Sequence, residues 1–310
     1  MDVTAKWHGK RYYSLDAYLK NTYGQKFKKI SIDAGFTCPN RDGTLGSRGC
    51  IFCSAGGSGD FALPYGSVVA AEPYIAYFQA YTCTYAPVAS LDSIYRSALE
   101  DPLVIGISIA TRPDCLPPEV LSLLADLKIK YPEKFIWIEL GLQTIHEKTA
   151  YYIRRGYPLH CFSHAVRQLH LLGIPVITHV ILGLPGETKA MMLQTIDYLN
   201  DTPISGVKLQ LLHILKNTDL ALDYEQELFS ALSLNGYLDL LISCIRRLSP
   251  DTVIHRVTGD GPKELLIAPL WSRDKKKVLN SLHHRMKQED AYQGKDWKGK
   301  KYDPRTSDAL

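Results

Sequence analysis

From residue 28 onward, short runs of apolar and β-branched residues alternate with longer runs in which apolar positions recur every third or fourth residue. The short runs predict strands at 29–33, 74–79, 103–109, 135–140, 175–182 and 207–213, with a seventh at 252–257. The longer runs predict helices at 90–100, 117–130, 162–172, 189–200 and 223–248, the second with proline in its first turn and the third ended by Gly173. Ahead of them, Ser14 caps a short helix carrying Leu15, Tyr18 and Leu19, which Gly24 stops. Strand starts recur about every 30 to 45 residues, and a strand-helix-strand unit of that length joins parallel strands through a right-handed crossover. Six or seven such units make either an open doubly wound sheet or a barrel or partial barrel, and both collect function at the carboxyl ends of their strands. The pattern shows no repeat, no low-complexity linker and no domain boundary before about residue 258. It divides the chain into a basic segment 1–27, a core 28–258 and an extension 259–310.

Composition narrows the class. The 310 residues are 45% hydrophobic and 22% charged, which excludes a disordered chain or a collagen-like one. The richest apolar stretch, 174–184, is interrupted by Thr178, His179 and Gly183, so no membrane span is expected. The opening residues lack the apolar core of a signal peptide, and a cytoplasmic protein is expected. Charge is uneven: residues 1–30 and 273–310 are each net +5, around an acidic middle. In the first segment Trp7, Tyr12, Tyr13, Tyr18, Tyr23 and Phe27 interleave with seven Lys and Arg, which suits phosphate contacts and base stacking. A nucleic-acid partner is therefore expected, against the plainer reading of solvated terminal charges.

Of seven cysteines, Cys83, Cys115, Cys161 and Cys244 are scattered, whereas Cys38, Cys50 and Cys53 form a Cys-x11-Cys-x2-Cys set in the loop after the first strand. A structural zinc site normally takes four ligands, and no cysteine or histidine between Cys53 and Cys83 completes one. Three thiolates suit a [4Fe–4S] cluster with one iron left for a small molecule.

The cysteine segment resembles the radical S-adenosylmethionine (SAM) superfamily, with Phe52 in the aromatic place before the last cysteine. Nearly the whole chain is similar to its YtqA/YhcC-type branch, related to the Elongator catalytic subunit. The similarity runs through 77–82, Thr111-Arg112-Pro113-Asp114-Cys115, Glu139-Leu140-Gly141-Leu142-Gln143-Thr144, Arg154-Arg155-Gly156, Gly183-Leu184-Pro185-Gly186-Glu187-Thr188, 255–260 and Tyr292-Gln293-Gly294. The long first cysteine gap departs from the common Cys-x3-Cys-x2-Cys and marks that branch.

The resemblance implies a partial (β/α)6-like TIM barrel, a [4Fe–4S] cluster on Cys38, Cys50 and Cys53, and SAM as the second cofactor. It assigns ribose contacts to Gln143, with Glu139 beside it; by the plainer reading Glu139 pairs a Lys or Arg of a neighbouring strand. Arg155 would hold the methionine carboxylate, with Arg154 as its rival, and Gly183 and Leu184 would border the adenine. Where many members carry Gly-Gly-Glu for the methionine amine, this chain has Phe78-Gln79-Ala80-Tyr81-Thr82, leaving Gln79 and Thr82 as candidates. Arg112, Asp114, His179, Lys208, Gln210, His213, His255, Arg256 and Asp260 stand near strand ends, and Arg112 and Lys208 are the preferred substrate contacts. The implied activity is removal of the carboxymethyl group from a carboxymethylaminomethyl uridine at the tRNA wobble position, with a flavodoxin or ferredoxin as electron donor. The alternatives are a radical enzyme acting on a small molecule, and a non-enzymatic RNA-binding protein with a structural metal.

Overall fold

The computed structural model describes residues 3–259 and 261–299. In chain order its elements are α1 (Val3–Lys6), α2 (Leu15–Tyr23), β1 (Lys28–Asp33), β2 (Leu63–Pro64), β3 (Tyr74–Phe78), α3 (Val88–Glu100), β4 (Val104–Thr111), α4 (Pro118–Lys130), β5 (Phe135–Gln143), α5 (Glu147–Tyr152) and α6 (Leu159–Leu171). They continue with β6 (Val176–Leu182), α7 (Lys189–Asn200), β7 (Gly206–Leu211), β8 (Ile214–Leu215), α8 (Asp219–Glu225), α9 (Leu234–Arg247), β9 (Val253–Arg256), β10 (Leu266–Ala268) and α10 (Lys275–Gln288).

Eight strands form one parallel sheet in the order β2-β1-β3-β4-β5-β6-β7-β9. Each central strand is followed by a helix, which gives a partial TIM barrel with β2 and β9 at its edges. Strands covered on both faces read as unbroken apolar runs, and β3 is buried at all five positions. The main core joins that sheet to α3, α4, α6, α7 and α9 through residues such as Ile107, Ile138, Phe162, Ile196 and Leu241.

The expected strands are all present, and Ser14 and Gly24 cap α2, Gly24 in the left-handed region. The helix expected over 223–248 is two helices. Thr218 caps α8, Glu227 turns left-handed (φ 57°), and the Ser233 hydroxyl accepts from Gly236 to start α9. Serine competes for backbone hydrogen bonds and favours a cap over a helix interior, so periodicity ran through a break it could not register.

The N-terminal aromatics divide between core and surface. Trp7, Tyr12 and Tyr13 are buried, and Trp7 packs with Tyr13, Ala17 and Val253 against the β9 edge. Burying one such ring is worth about 3 kcal/mol, whereas the exposed Lys6–Asp251 pair contributes about 1 kcal/mol at most, so apolar burial holds this segment in place. Lys10, Lys20 and Lys26 converge on Asp16. The face expected to meet nucleic acid is largely folded into the protein. A bridge from Ser14 to Ile254 adds the segment to the open edge of the sheet, and Gln293 clamps it there. Gln293 accepts from the Tyr13 amide at 2.8 Å and donates to the Ser249 and Thr252 carbonyls at 2.6 and 2.8 Å.

Leu19 of α2 joins Ile75, Trp137 and Ile177 in a separate apolar cluster that closes the barrel at the amino-terminal end of its strands. The barrel's cavity lies towards the other end, where the strands finish. Among the described residues no helix is long and apolar enough to cross a membrane.

Candidate active site

A cavity of about 750 Å³ occupies the barrel interior, within the size range of ligand pockets. Its walls carry Cys38, Cys50 and Cys53 from the loop after β1, Gln79 and Thr82 after β3, Arg112 after β4, Gln143 and Arg155 around β5, and Lys208 from β7. Residues from five separate parts of the chain thus meet in one place.

At the cysteine end, Asn40 donates to Cys50 Sγ at 3.4 Å and to the Arg154 carbonyl at 2.8 Å. Arg41 donates to the Cys53 carbonyl at 3.0 Å and to that of Ser54. Ile51 anchors the loop in a small apolar cluster with Ile153, Leu184 and Leu220. Burial, and next the charge of Cys53, push the Cys50 thiol up to about 12; burial raises Cys53 despite the nearby Arg41. Among the described residues no group of three or more His, Cys, Asp or Glu is placed to hold a single metal ion. Three half-buried thiols on the wall of one cavity are the donor set that a [4Fe–4S] cluster with one iron free of protein ligands takes.

At the floor lies an ionic cluster. Glu139 is fully buried; one carboxylate oxygen accepts from Lys29 and from Ser108 at 2.8 Å, the other from Lys208 and from His179 at 2.7 Å. Burial alone would raise this carboxyl, but Lys208, Lys29 and His179 outweigh it and hold Glu139 well below the usual carboxylate range. Burial and the Lys208 charge push His179 down to about 4, so its imidazole is neutral. Its Nε2–H then donates to Glu139 and its Nδ1 accepts from the Gln210 amide nitrogen at 3.3 Å. The plainer reading of Glu139 therefore holds. With four donors on two oxygens, it has no lone pair left for a ribose hydroxyl.

Two profiles match this chain: that of the radical SAM superfamily over residues 44–199, and that of the Radical_SAM C-terminal domain over 204–288. YtqA of Bacillus subtilis is 42% identical over 301 residues, 92% of each chain. This chain belongs to the radical SAM superfamily. YhcC of Escherichia coli K12 is 38% identical, covering 83% of this chain and 86% of its own. Among solved structures, Elp3 of the archaeon Methanocaldococcus infernus shares the fold with a TM-score of 0.61, at 14% identity over 72% of this chain and 55% of that one. The chain is a radical SAM protein of the branch that YtqA and YhcC represent, related to Elp3. Its cofactors are those of the superfamily, a [4Fe–4S] cluster and SAM.

Not every expected contact reaches the cavity. Gln143 does, lifted there by a register shift against β6 and a left-handed backbone (φ 64°). Gly141 leaves room for it, since a Cβ there would stand 2.8 Å from the Gln143 amide nitrogen. Gln79 lines the cavity with its amide held at both ends, by the Ser31 hydroxyl at 2.8 Å and the Ser58 carbonyl at 2.6 Å, and Thr82 is buried nearby.

Arg155 borders the cavity, yet its guanidinium is committed to the carbonyls of Tyr157, Leu142 and Thr144 and to Glu147, at 2.7–3.4 Å. Its rival Arg154 pairs with Asp219. Gly183 and Leu184 fall outside the cavity lining: the Gly183 amide donates to Met192 Sδ at 3.2 Å, and Leu184 turns into the apolar cluster under the cysteine loop. Arg112 stands at the cysteine end, bidentate to Asp114 at 2.7 and 2.9 Å and over the Tyr157 ring. His255 packs edge-on against Trp137 instead of lining the cavity, and Asp260 lies outside the described residues.

Sequence reasoning missed Asn40, Arg41, Tyr77 and Tyr157, and it placed Lys29 with the nucleic-acid contacts. Asn40 and Arg41 follow Cys38-Pro39 directly, a proximity that was available as a signal. Nothing in sequence links Lys29 to Glu139.

Proposed function

We propose that this protein removes the carboxymethyl group from carboxymethylaminomethyl uridine at the tRNA wobble position, leaving an aminomethyl group. The observation that carries the reading is the cavity lining: Lys263, Arg273, Lys275 and Arg41 of the cysteine loop outnumber Asp60 and Glu264 beside them, a net cationic approach suited to a polyanion. The relation to Elp3 and the basic stretch from residue 273 onward support the same substrate.

When bound and reduced by a flavodoxin or ferredoxin, the cluster would supply the electron for cleavage of SAM, which serves as oxidant. The carbon next to the substrate carboxylate would give up a hydrogen to the adenosyl carbon and one electron back to the cluster, and water would split the resulting imine into glyoxylate and the aminomethyl uridine. Cys38, Cys50 and Cys53 hold the cluster, with Asn40 donating to one of the ligating sulfurs. Gln143 meets the ribose, and Gln79 and Thr82 meet the methionine amine. Arg155 fixes the loop between β5 and α5 by gathering three carbonyls, so that Gln143 keeps its strained position. The apolar plug at Leu19, Ile75, Trp137 and Ile177 excludes water from below. The described residues of segment 1–27 and of extension 259–310 brace the open edge of a 28–258 core.

The test is nucleoside analysis of tRNA by mass spectrometry from a strain lacking the gene. The carboxymethylaminomethyl form accumulates and the aminomethyl form disappears; an unchanged profile overturns the assignment. Anaerobic release of 5′-deoxyadenosine that depends on such tRNA separates this substrate from a small molecule.

A further inference from the structure

The cavity has two unlike walls. From Gly49 to Tyr95 the chain carries no lysine or arginine, and that stretch supplies the rings of Phe52, Phe61 and Tyr81. Lys263, Arg273 and Lys275, with Glu264 among them, belong to the extension that follows β9, at the opposite edge of the sheet from β2. A ligand that carries both a flat ring and a phosphate finds a separate place for each.

The three rings differ in what covers them. Phe52 packs against the apolar cluster under the cysteine loop. Tyr81 lies under the Arg41 guanidinium, and its hydroxyl donates to the Ala55 carbonyl at 2.7 Å. Phe61 lines the cavity and is 59% exposed, and among the described residues it joins none of the apolar clusters. Burying a ring is one of the larger apolar gains of folding, and this ring is left without it. A lone apolar residue on an outer surface is ordinary, whereas one in the wall of a cavity stands where a ligand covers it.

The backbone that presents Phe61 is fixed. The Ser54 hydroxyl, next to Cys53, lies 2.8 and 2.9 Å from the two Asp60 oxygens and closes 54–60 into an arc. Within it the amides of Gly57, Gly59 and Ala62 donate to the carbonyls of Ser54, Gly56 and Gly59 at 2.8–3.0 Å. The segment after β3 ties the arc down, Gln79 donating to the Ser58 carbonyl at 2.6 Å and the Tyr81 amide to that of Gly57 at 2.8 Å. The two surfaces touch closely: a Cβ on Gly59 would stand 2.5 Å from that of Ala80, and one on Gly57 would run into the Tyr81 ring. An ordered arc that holds an uncovered ring in a cavity wall is a contact organised before its ligand arrives.

We propose that Phe61 is the stacking platform for the base of the substrate nucleotide, with the phosphates towards Lys263, Arg273 and Lys275. The inference rests on the proposed function, whose substrate is a uridine in RNA, and it names the side chain that receives the ring. Stacking reads the face of the pyrimidine and leaves a substituent at carbon 5, which lies in the ring plane, free to reach into the cavity.

The test titrates the reconstituted holoenzyme, with SAM present, against uridine 5′-monophosphate and ribose 5-phosphate by ligand-observed NMR. The two probes share a phosphate, so the difference between them reports the base. The nucleotide should bind about fivefold or more tightly, and its H5 and H6 resonances should move upfield under the ring current of Phe61. Phe61→Leu, which stays apolar and loses the π face, should abolish both effects, and Phe61→Tyr should keep both, which separates stacking from folding. Equal binding of the two probes, or a preference and an upfield shift that Phe61→Leu retains, overturns the platform. A Phe61-dependent preference with an unchanged tRNA profile in the strain lacking the gene keeps the platform and removes the wobble-uridine reading; a changed profile without the preference does the reverse.

Discussion

The amide nitrogen of Asn40 lies 3.4 Å from the sulfur of Cys50, donating to an atom proposed above as an iron ligand. A hydrogen bond to a ligating sulfur stabilises the more electron-rich state, because it draws charge off the sulfur. Replacing Asn40 with Leu should make the cluster harder to reduce, read as a lower midpoint potential in an EPR-monitored titration. An unchanged potential with a lowered Tm would assign Asn40 solely to holding the Arg154 carbonyl.

Each of Cys38→Ala, Cys50→Ala and Cys53→Ala should lose bound iron and SAM cleavage together, while the far-ultraviolet circular dichroism stays close to that of the parent. The loop is held by Ile51 in its apolar cluster and by Arg41 on two carbonyls, neither of which the substitutions touch. Full iron content in any one of them would remove that residue from the ligand set.

Removing the Glu139 charge should be severe. Glu139→Leu strands Lys29 and Lys208 in the interior and should cost about 3–5 kcal/mol, measured by denaturant unfolding. Glu139→Leu combined with Lys208→Met should recover part of the loss, because the pair couples directly.

Acid should weaken the fold in two stages. His179 titrates near 6.5 when unfolded and about 4 when folded, so its contribution is complete above pH 6.5 and falls away towards pH 4, by about 3 kcal/mol at most. Glu139, held well below its ordinary value of 4.5, contributes fully above that pH and loses its contribution as pH drops further. The charged and polar groups facing both are Lys29, Lys208, Arg256 and Gln210. Unfolding free energies measured from pH 8 to pH 4 should therefore show a first decline that His179→Gln abolishes.

Gln293 makes three buried hydrogen bonds to the backbone around Tyr13, Ser249 and Thr252, besides receiving its own register from Arg11. Gln293→Ala should cost about 2–4 kcal/mol through the groups left unpaired. It should also raise amide exchange selectively in the N-terminal segment and β9, a pattern that general destabilisation would not give.

The parallel sheet was legible because its strands are covered on both faces and so read as unbroken apolar runs, as the five residues of β3 do, whereas its closure into a partial barrel came from the family resemblance. The cysteine set was legible because its ligands are local. What stayed hidden was every choice that depends on distant partners. Glu139 meets Lys29 from 110 residues before it and Lys208 from 69 after it, and no local pattern joins them. Arg155 could have faced a ligand or a set of carbonyls, and only the path of the loop decides. Trp7 looked like a stacking surface because aromatic residues beside lysines suit RNA and a covered sheet edge equally well.

The plug formed by Leu19, Ile75, Trp137 and Ile177 also governs the order of events. With the foot of the barrel filled, a large substrate seated over the carboxyl ends of the strands covers the way to the cavity that those ends provide. SAM would then enter before it, and methionine and 5′-deoxyadenosine would leave after it clears. Turnover on a macromolecule would then be compulsory-ordered, with release of the large product as its gate.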